Sequence, residues 1–519
     1  MINFLTNSSF YALCKIASIT TGMLLCMTIF YYILIHEWRV RKMMPNLKTF
    51  NSAPTLPVIG SLHHIAFNIN KGATKLLQIF NHYKLPLVGW IVRSPFVAVG
   101  SYEDIQIVMN NSLERDFLGL LRKVATNSTL LLQGEQWQKS RHIATPAFSY
   151  GAMQQYIPVF NEYASFLVKK LQQFSNNNEA IEITNHVFSM NIDATIQNMT
   201  GYKLRSLETE NTEVIKLLFK LLQMESMRFA FPPLFPEFMY KIYLFFSGKD
   251  KLYKKIHAIS KKILKDKLNQ YEMNKKREKN QDTHETDDQD SKSLINLLLK
   301  VHKIDATLTE KHIRDELIIM ITLGYESISL TVCAMLLMLA MNPDIQAKVY
   351  NEIVTVLGED ENDVQYEDTK KLVYTEQCIK ETLRKFTVLP FTLRRIEKDL
   401  LLSDQQVIPA GCLALVSFFT AHHDERIFPN ADNWDPEHFS AEAIGQQNTQ
   451  VFFPFGAGLR TCLGKNYAMI SMKIQLVHLL RRYRVTTDIK MQDINWIWYI
   501  ALRIECGYWL KFWSRKRTQ

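Results

Sequence analysis

Towards its C-terminal end the 519-residue chain reads Phe453-Pro454-Phe455-Gly456-Ala457-Gly458-Leu459-Arg460-Thr461-Cys462-Leu463-Gly464, and Cys462 is the residue best placed for chemistry. A thiol in a glycine-flanked loop, two residues after a cation and just ahead of a helical pattern, meets positive charge and unpaired helix amides that favour the thiolate. Such a sulfur serves as a nucleophile or as a metal ligand, although a lone cysteine is more often packing alone. The other six cysteines, at 14, 26, 333, 378, 412 and 506, are scattered without a Cys-x-x-Cys, as in a reduced compartment. Two pairs share helix faces by spacing: Glu381 with Arg384 at i,i+3, and Trp137 with Arg141 at i,i+4. In Gly324-Tyr325-Glu326-Ser327, a carboxylate and a hydroxyl interrupt an apolar run, a polar spot suited to a protein interior.

These residues need a scaffold. Leu317 to Met341 contains a single charge, Glu326, and a helix apolar on every side either spans a membrane or runs through a protein core. A carboxylate near its centre is expensive in lipid, so the pattern predicts a long central core helix. Amphipathic helical periodicity dominates residues 103 to 390, with short strand-like pieces at Leu87–Val92 and Phe96–Val99, and loops and short strands follow residue 400 until a last helix. The expected class is mainly α with small β-sheets. Lys275 to Lys292, almost wholly polar, reads as a solvated loop.

At the N-terminus, Ile16 to Ile35 is a run of twenty residues without a charge, about 30 Å as a helix and enough to cross a bilayer core. His36-Glu37-Trp38-Arg39-Val40-Arg41-Lys42 follows at once, which by the positive-inside rule keeps the remainder cytoplasmic. The run is long for a signal peptide and ends in charges instead of a small-residue cleavage site. The reading is 1–15 lumenal, 16–35 a transmembrane anchor, 36–60 a basic and Pro-rich linker, and 61–519 one body. The net charge of +10 gathers mostly at the two ends, with no basic groove interleaved with aromatics, so nucleic acid is not an expected partner. A composition of 47% hydrophobic and 22% charged residues excludes disordered, collagen-like and disulfide-scaffold classes.

Phe455, Gly458, Arg460, Cys462 and Gly464 reproduce a Phe-x-x-Gly-x-Arg-x-Cys-x-Gly signature, and on it the chain resembles the cytochrome P-450 haem-thiolate monooxygenases. Glu381-x-x-Arg384, Trp137-x-x-x-Arg141, Arg394 and Pro436-Glu437-His438-Phe439 are similar to further family motifs and occur in the family order. The residues after the cysteine look most like the microsomal clan that includes the fatty-acid omega-hydroxylases. The resemblance implies the cytochrome P-450 fold, haem b as cofactor, and Cys462 as axial iron ligand, a thiolate whose electron donation favours O–O cleavage. It assigns Trp137, Arg141, Arg394 and Arg460 to the haem propionates, Phe455 and Gly464 to the haem's cysteine side, and Gly324 to the space for oxygen. Glu326 and Ser327 become a distal proton relay, and Glu381, Arg384 and His438 a structural ion network.

Four positions depart from the family pattern. Ser327 replaces the usual threonine, Ile328 stands where a second hydroxyl is common, Leu323 where many omega-hydroxylases carry a haem-linking glutamate, and His438 where an arginine is usual. The implied activity is insertion of one oxygen atom from O2 into a fatty acid, hydrocarbon, steroid or xenobiotic at the endoplasmic reticulum membrane. Electrons would come from NADPH through a separate cytochrome P-450 reductase, with cytochrome b5 as a second candidate donor and Lys465 and Lys473 as candidate contacts. Arg115–Leu130 and Met224–Phe238 fall where the family keeps its recognition loops. Two alternatives remain: a haem-thiolate isomerase or dehydratase acting on a peroxide, and a haem-binding protein that has lost turnover.

Overall fold

The computed structural model describes residues 37–515 together with Met27, Tyr31 and Ile35, apart from 57–59, 65–77, 81, 92–93, 117–118, 210–212, 232–233, 235–236, 281–291, 306 and 447–450. The anchor expected at 16–35 therefore lies almost wholly outside the described residues.

The architecture is helical with small sheets, as expected. The elements that position the site are helices α1 (Tyr102–Asn111), α2 (Gly134–Ala144), α3 (Tyr150–Leu171), α4 (Thr184–Thr200), α5 (Glu213–Ala230), α6 (Glu237–Phe246), α7 (Asp250–Asn280), α8 (Leu294–Ile304), α9 (Glu310–Met341), α10 (Pro343–Leu357), α11 (Val373–Lys385) and α12 (Lys465–Arg482). Helix α9 is the apolar run read from the sequence. Thr309 caps it by accepting the His312 N–H, and it ends at Asn342, where Pro343 biases the preceding residue away from helix and opens α10. It is the one described helix long and apolar enough to cross a bilayer, but 78% of its most apolar window is buried by protein, which makes it the core helix. From Asp315 to Ala340 only Met320, Leu323, Gly324 and Ser327 escape full burial. Their i, i+3, i+4, i+7 spacing is a single stripe, so the helix opens on one side only.

A five-stranded sheet, order β1 (Asn51–Ser52), β2 (Leu87–Ile91), β3 (Ser94–Val99), β5 (Leu413–Ser417), β4 (Phe391–Arg395), packs over a second apolar cluster. β4 runs antiparallel to β5 with Arg394 opposite Ala414, and an isolated bridge joins Arg394 to Arg115. Near the C-terminus the hairpin β6 (Trp496–Tyr499) and β7 (Ala501–Ile504) turns at Ile500, whose φ of +69° is left-handed.

Two expectations need correction. The body begins before residue 60: Leu47, Phe50 and Ala53 are buried and Asn51–Ser52 joins the sheet, so the stretch read as linker up to residue 60 is partly a packed edge of the domain. The polar run read as a loop from Lys275 starts as helix, since α7 continues to Asn280 and the rest of the run lies largely outside the described residues.

Candidate active site

The loop bearing Cys462 is closed by its own backbone: the Cys462 N–H donates to the Phe455 carbonyl at 2.9 Å, and Thr461 Oγ1 donates to the same oxygen at 3.2 Å. Gly458 has a φ of +66°, and a Cβ there would stand 2.5 Å from the Met109 carbonyl of α1, so only glycine fits. Gly464 precedes α12, and the nearest protein atom to a Cβ there would be 3.7 Å away. Packing within the protein thus leaves its lack of a side chain unexplained. Cys462 is accessible. It nonetheless sits deep enough that burial pushes its thiol up, against the Gly464 amide and the charges of Arg115, Arg141 and Lys465. The cationic surroundings read from the sequence exist, but they do not by themselves make a thiolate; a metal cation on the sulfur would.

Above this loop four arginines converge. Arg460, buried, donates through Nε to the Leu113 carbonyl (3.1 Å), through Nη1 to Thr129 (3.3 Å) and through Nη2 to Leu132 (2.8 Å) and Gln133 Oε1 (2.9 Å). Its guanidinium stacks 4.0 Å from the Trp137 ring, so Trp137 presents its face to Arg460. Arg141, one turn along α2, donates to the Thr461 carbonyl at 2.9 Å. Arg394 on β4 is fully buried and donates from Nη1 to Thr392 Oγ1 (3.1 Å) and the Leu393 carbonyl (3.2 Å), while its Nε and Nη2 have no protein partner. The fourth, Arg115, donates to the Arg460 carbonyl and leaves Nε unpartnered. No spacing in the sequence points to Arg115 as a member of the cluster, because its bridge to Arg394 is non-local.

Among the described residues none of these four arginines forms an ion pair with a carboxylate. Burial, then the neighbouring cations Arg115 and Arg460, push Arg394 down to about 8. Burial with Arg115 and Arg141 pushes Arg460 down to about 9. A buried cation without an acid is costly, and the orphaned donors of Arg394 and Arg115 call for acceptors that the protein does not provide. The propionates of a haem fit that demand, and Cys462 provides a single soft ligand on the same side.

The second arginine site is the opposite case. Arg384 on α11 is fully buried, yet its Nε and Nη2 each reach Glu381 at 2.7 Å, and its remaining donors go to the carbonyls of His422 and Asn433, both at 2.8 Å. Glu381 Oε1 also accepts the Asp435 N–H at 2.9 Å. His438, in the place of an arginine, contacts both Glu381 oxygens through Nδ1 at 3.3 Å and the Pro429 carbonyl through Nε2 at 2.8 Å. Both partners are acceptors, so the ring must donate from both nitrogens and is the imidazolium. Burial lowers its pKa, but the Glu381 carboxylate and the Pro429 carbonyl outweigh that and raise it overall. The substitution keeps a cation in the network. His422 then ties this network to the cysteine loop: burial holds it well below the usual imidazole range, and neutral, it donates to Thr387 Oγ1 (2.9 Å) and accepts the Phe453 N–H (3.0 Å). No spacing in the sequence singled it out.

On α9, the Ser327 hydroxyl donates to the Leu323 carbonyl at 3.1 Å, leaving its lone pairs to accept, and both residues lie on the open stripe. Glu326 points elsewhere and pairs with Arg503 of β7, a buried partner that the sequence reading missed. Burial raises the Glu326 carboxyl and Arg503 opposes it. The Arg503 guanidinium lies 5.3 Å from the Phe188 ring and 4.7 Å from the Phe219 ring. A Cβ at Gly324 would stand 3.0 Å from Thr195 Cγ2, so its missing side chain also serves the close approach of α9 to α4. Lys473, expected at the surface, is buried and donates to Glu376 Oε2 and the Thr369 carbonyl, both at 2.6 Å; Lys465 is exposed.

A family model described as Cytochrome P450 matches residues 51–508. Similar proteins include Cytochrome P450 4c21 of Blattella germanica, 27% identical over 92% of this chain and 95% of its own length. Cytochrome P450 4V2 of Homo sapiens is 24% identical over 93% of this chain and 92% of its own. Leukotriene-B4 omega-hydroxylase 3 of Mus musculus is 24% identical over 85% of each chain.

Proposed function

The chain belongs to the cytochrome P450 family and is a haem-thiolate monooxygenase, and from that premise we propose that it inserts one oxygen atom of O2 into a lipophilic substrate at a membrane surface. The observation that carries the proposal is the convergence, around an accessible Cys462, of four arginines that form no ion pair with a carboxylate among the described residues. Haem held there supplies the iron that binds and activates O2. Cys462 would ligate its iron, Arg115, Arg141, Arg394 and Arg460 would receive its propionates, Trp137 would support Arg460 by its ring face, and Phe455 and Gly464 would shape the loop that holds the sulfur. On the open stripe of α9 the Ser327 hydroxyl would accept and pass protons, and Glu326, the next residue, turned to Arg503 and with its carboxyl raised by burial, would be the reservoir behind it. Retention of this carboxylate and hydroxyl favours oxygen insertion over peroxide rearrangement.

Two observations support a lipophilic substrate. The open stripe of α9 is bordered at Leu323 by an apolar cluster that includes Leu120, Leu221 and Ile319. Short α6 turns Phe238, Ile242, Phe245 and Phe246 outward, with Phe246 82% exposed, a face suited to lipid. With the apolar run at 16–35, this supports a single-pass anchor in the endoplasmic reticulum membrane, a domain boundary near residue 45, and substrate entry from the bilayer. The name of the mouse relative suggests hydroxylation near a chain end of a fatty-acid-like substrate as the narrower reading. The chain carries no flavin or nicotinamide fingerprint, so electrons come from NADPH through a separate reductase, for which exposed Lys465 and Leu459 beside the cysteine loop are candidate contacts. Reduced, CO-treated enzyme should show the thiolate-type Soret shift, and Cys462→Ala should abolish it. An unchanged shift in that variant would sink the assignment.

A further inference from the structure

Helix α5 carries a fully buried carboxylate and a nearly fully buried guanidinium three residues apart, Glu225 and Arg228, which the catalytic reading does not use. Both reach the same short stretch of the 115–130 loop. Glu225 Oε2 accepts the Leu121 N–H at 2.9 Å, and Arg228 Nη1 donates to the Gly119 carbonyl at 2.7 Å. That stretch is conformationally demanding: Gly119 has a φ of +83°, and Leu121, which is not glycine, has a φ of +59°. A Cβ at Gly119 would stand 2.8 Å from Arg228 Nη2, so backbone and guanidinium are in close contact. The acid is held in turn from α6 and α7. Tyr253 of α7 donates to Glu225 Oε1 at 2.5 Å, Tyr240 of α6 lies 3.4 Å from the same oxygen, and the two hydroxyls are 2.8 Å apart. Arg228 continues to the Leu234 carbonyl at 3.2 Å and to Glu237 Oε2 at 2.9 Å, and its guanidinium lies 4.3 Å from the Tyr240 ring.

We propose that Glu225 and Arg228 are positioning residues that fasten the Gly119–Leu121 turn to α5, and thereby fix the wall that long apolar ligands lie against. Glu225 accepts from the turn and from the two tyrosines, so it is not a ligand-binding group. A polar clasp of this kind is strong because Glu225 and Arg228 are themselves buried and partnered, and releasing one member leaves buried groups unsatisfied. It sits within the same apolar cluster as Leu120, Leu221 and Ile319, which reaches the open stripe of α9 at Leu323. With the turn fixed, a long ligand meets a formed wall; with it loose, part of the binding free energy goes into ordering that wall. Only the location of the ligand chamber is taken from the haem-thiolate reading.

The test compares two nitrogen ligands of the holoenzyme, imidazole and 1-dodecylimidazole, by their spectral shifts, together with hydrogen exchange at the Leu121 amide. Glu225→Leu should weaken 1-dodecylimidazole roughly tenfold relative to imidazole and speed Leu121 exchange by at least about tenfold, Arg228→Met should move both in the same direction, and Glu225→Gln, which keeps an acceptor, should stay within about threefold of wild type. If both ligands weaken together, or Leu121 exchange is unchanged, the clasp does not set the wall and the proposal fails. Should Glu225→Leu not accumulate folded, Arg228→Met and Tyr253→Phe carry the same two readouts. Failure of the haem reading would show separately, as wild-type enzyme without a thiolate-type spectrum, and the exchange measurement does not depend on haem.

Discussion

Two buried arginine sites face opposite electrostatic situations. Arg384 has a bidentate acid, two carbonyls and a supporting imidazolium, and its network closes on itself. Arg394 has a hydroxyl, one carbonyl and two orphaned nitrogens, with Arg115 and Arg460 as its charged neighbours among the described residues. Equal burial with unequal pairing separates the two roles. The closed network holds the fold, while the open one is completed by something other than protein.

The largest effect should come from opening the closed network. Arg384→Leu strands Glu381 without water, a loss on the order of 3–5 kcal/mol for a broken buried pair, and should leave little folded holoenzyme. Chemical denaturation of whatever accumulates checks this; a variant as stable as wild type would erase the contrast. Arg394→Leu should behave differently, because it removes a charge that the protein never neutralised. The fold should survive with a similar denaturation midpoint, while haem transfer to apomyoglobin accelerates roughly tenfold or more. A large loss of stability with normal haem retention would put Arg394 in the structural class instead.

A smaller effect separates the imidazolium from an ordinary arginine. Because its folded pKa is raised, the contribution of His438 is full below the ordinary imidazole value of about 6.5 and fades as pH climbs through the raised value. Stability should therefore fall on the alkaline side, and His438→Arg should flatten that dependence. Denaturation midpoints between pH 5.5 and 9 read it out, and a wild-type profile as flat as the arginine variant's would show that the ring is neutral at all pH.

The closed network was legible in the sequence because it is local: three residues apart on one helix, Glu381 and Arg384 must face the same way. The cysteine loop was legible because its residues are contiguous in the chain, although the reason for Gly458, its approach to α1, appears only in the fold. Only part of the rest of the site was visible. Arg115 and Arg503 act across more than 150 residues of chain, one through a β-bridge and the other from a C-terminal hairpin, and no spacing announces either. Hydrophobic periodicity placed α9 correctly, but it could not show that Gly324 faces α4 or that Lys473 turns inward to Glu376, since both are set by what packs opposite. The start of the body was misjudged because prolines at 54 and 57 read as a spacer, whereas Leu47, Phe50 and Ala53 already pack.

The central claim, that the open arginine cluster is completed by the carboxylates of haem, is tested most directly by reconstituting the protein with haem and with its dimethyl ester. The ester has the same iron and ring but no free acids. Loss of two charge-assisted contacts should make ester release about 100-fold faster than haem release, and Arg394→Leu should shrink that ratio to about tenfold. Equal release of haem and ester from the wild-type protein would contradict the account.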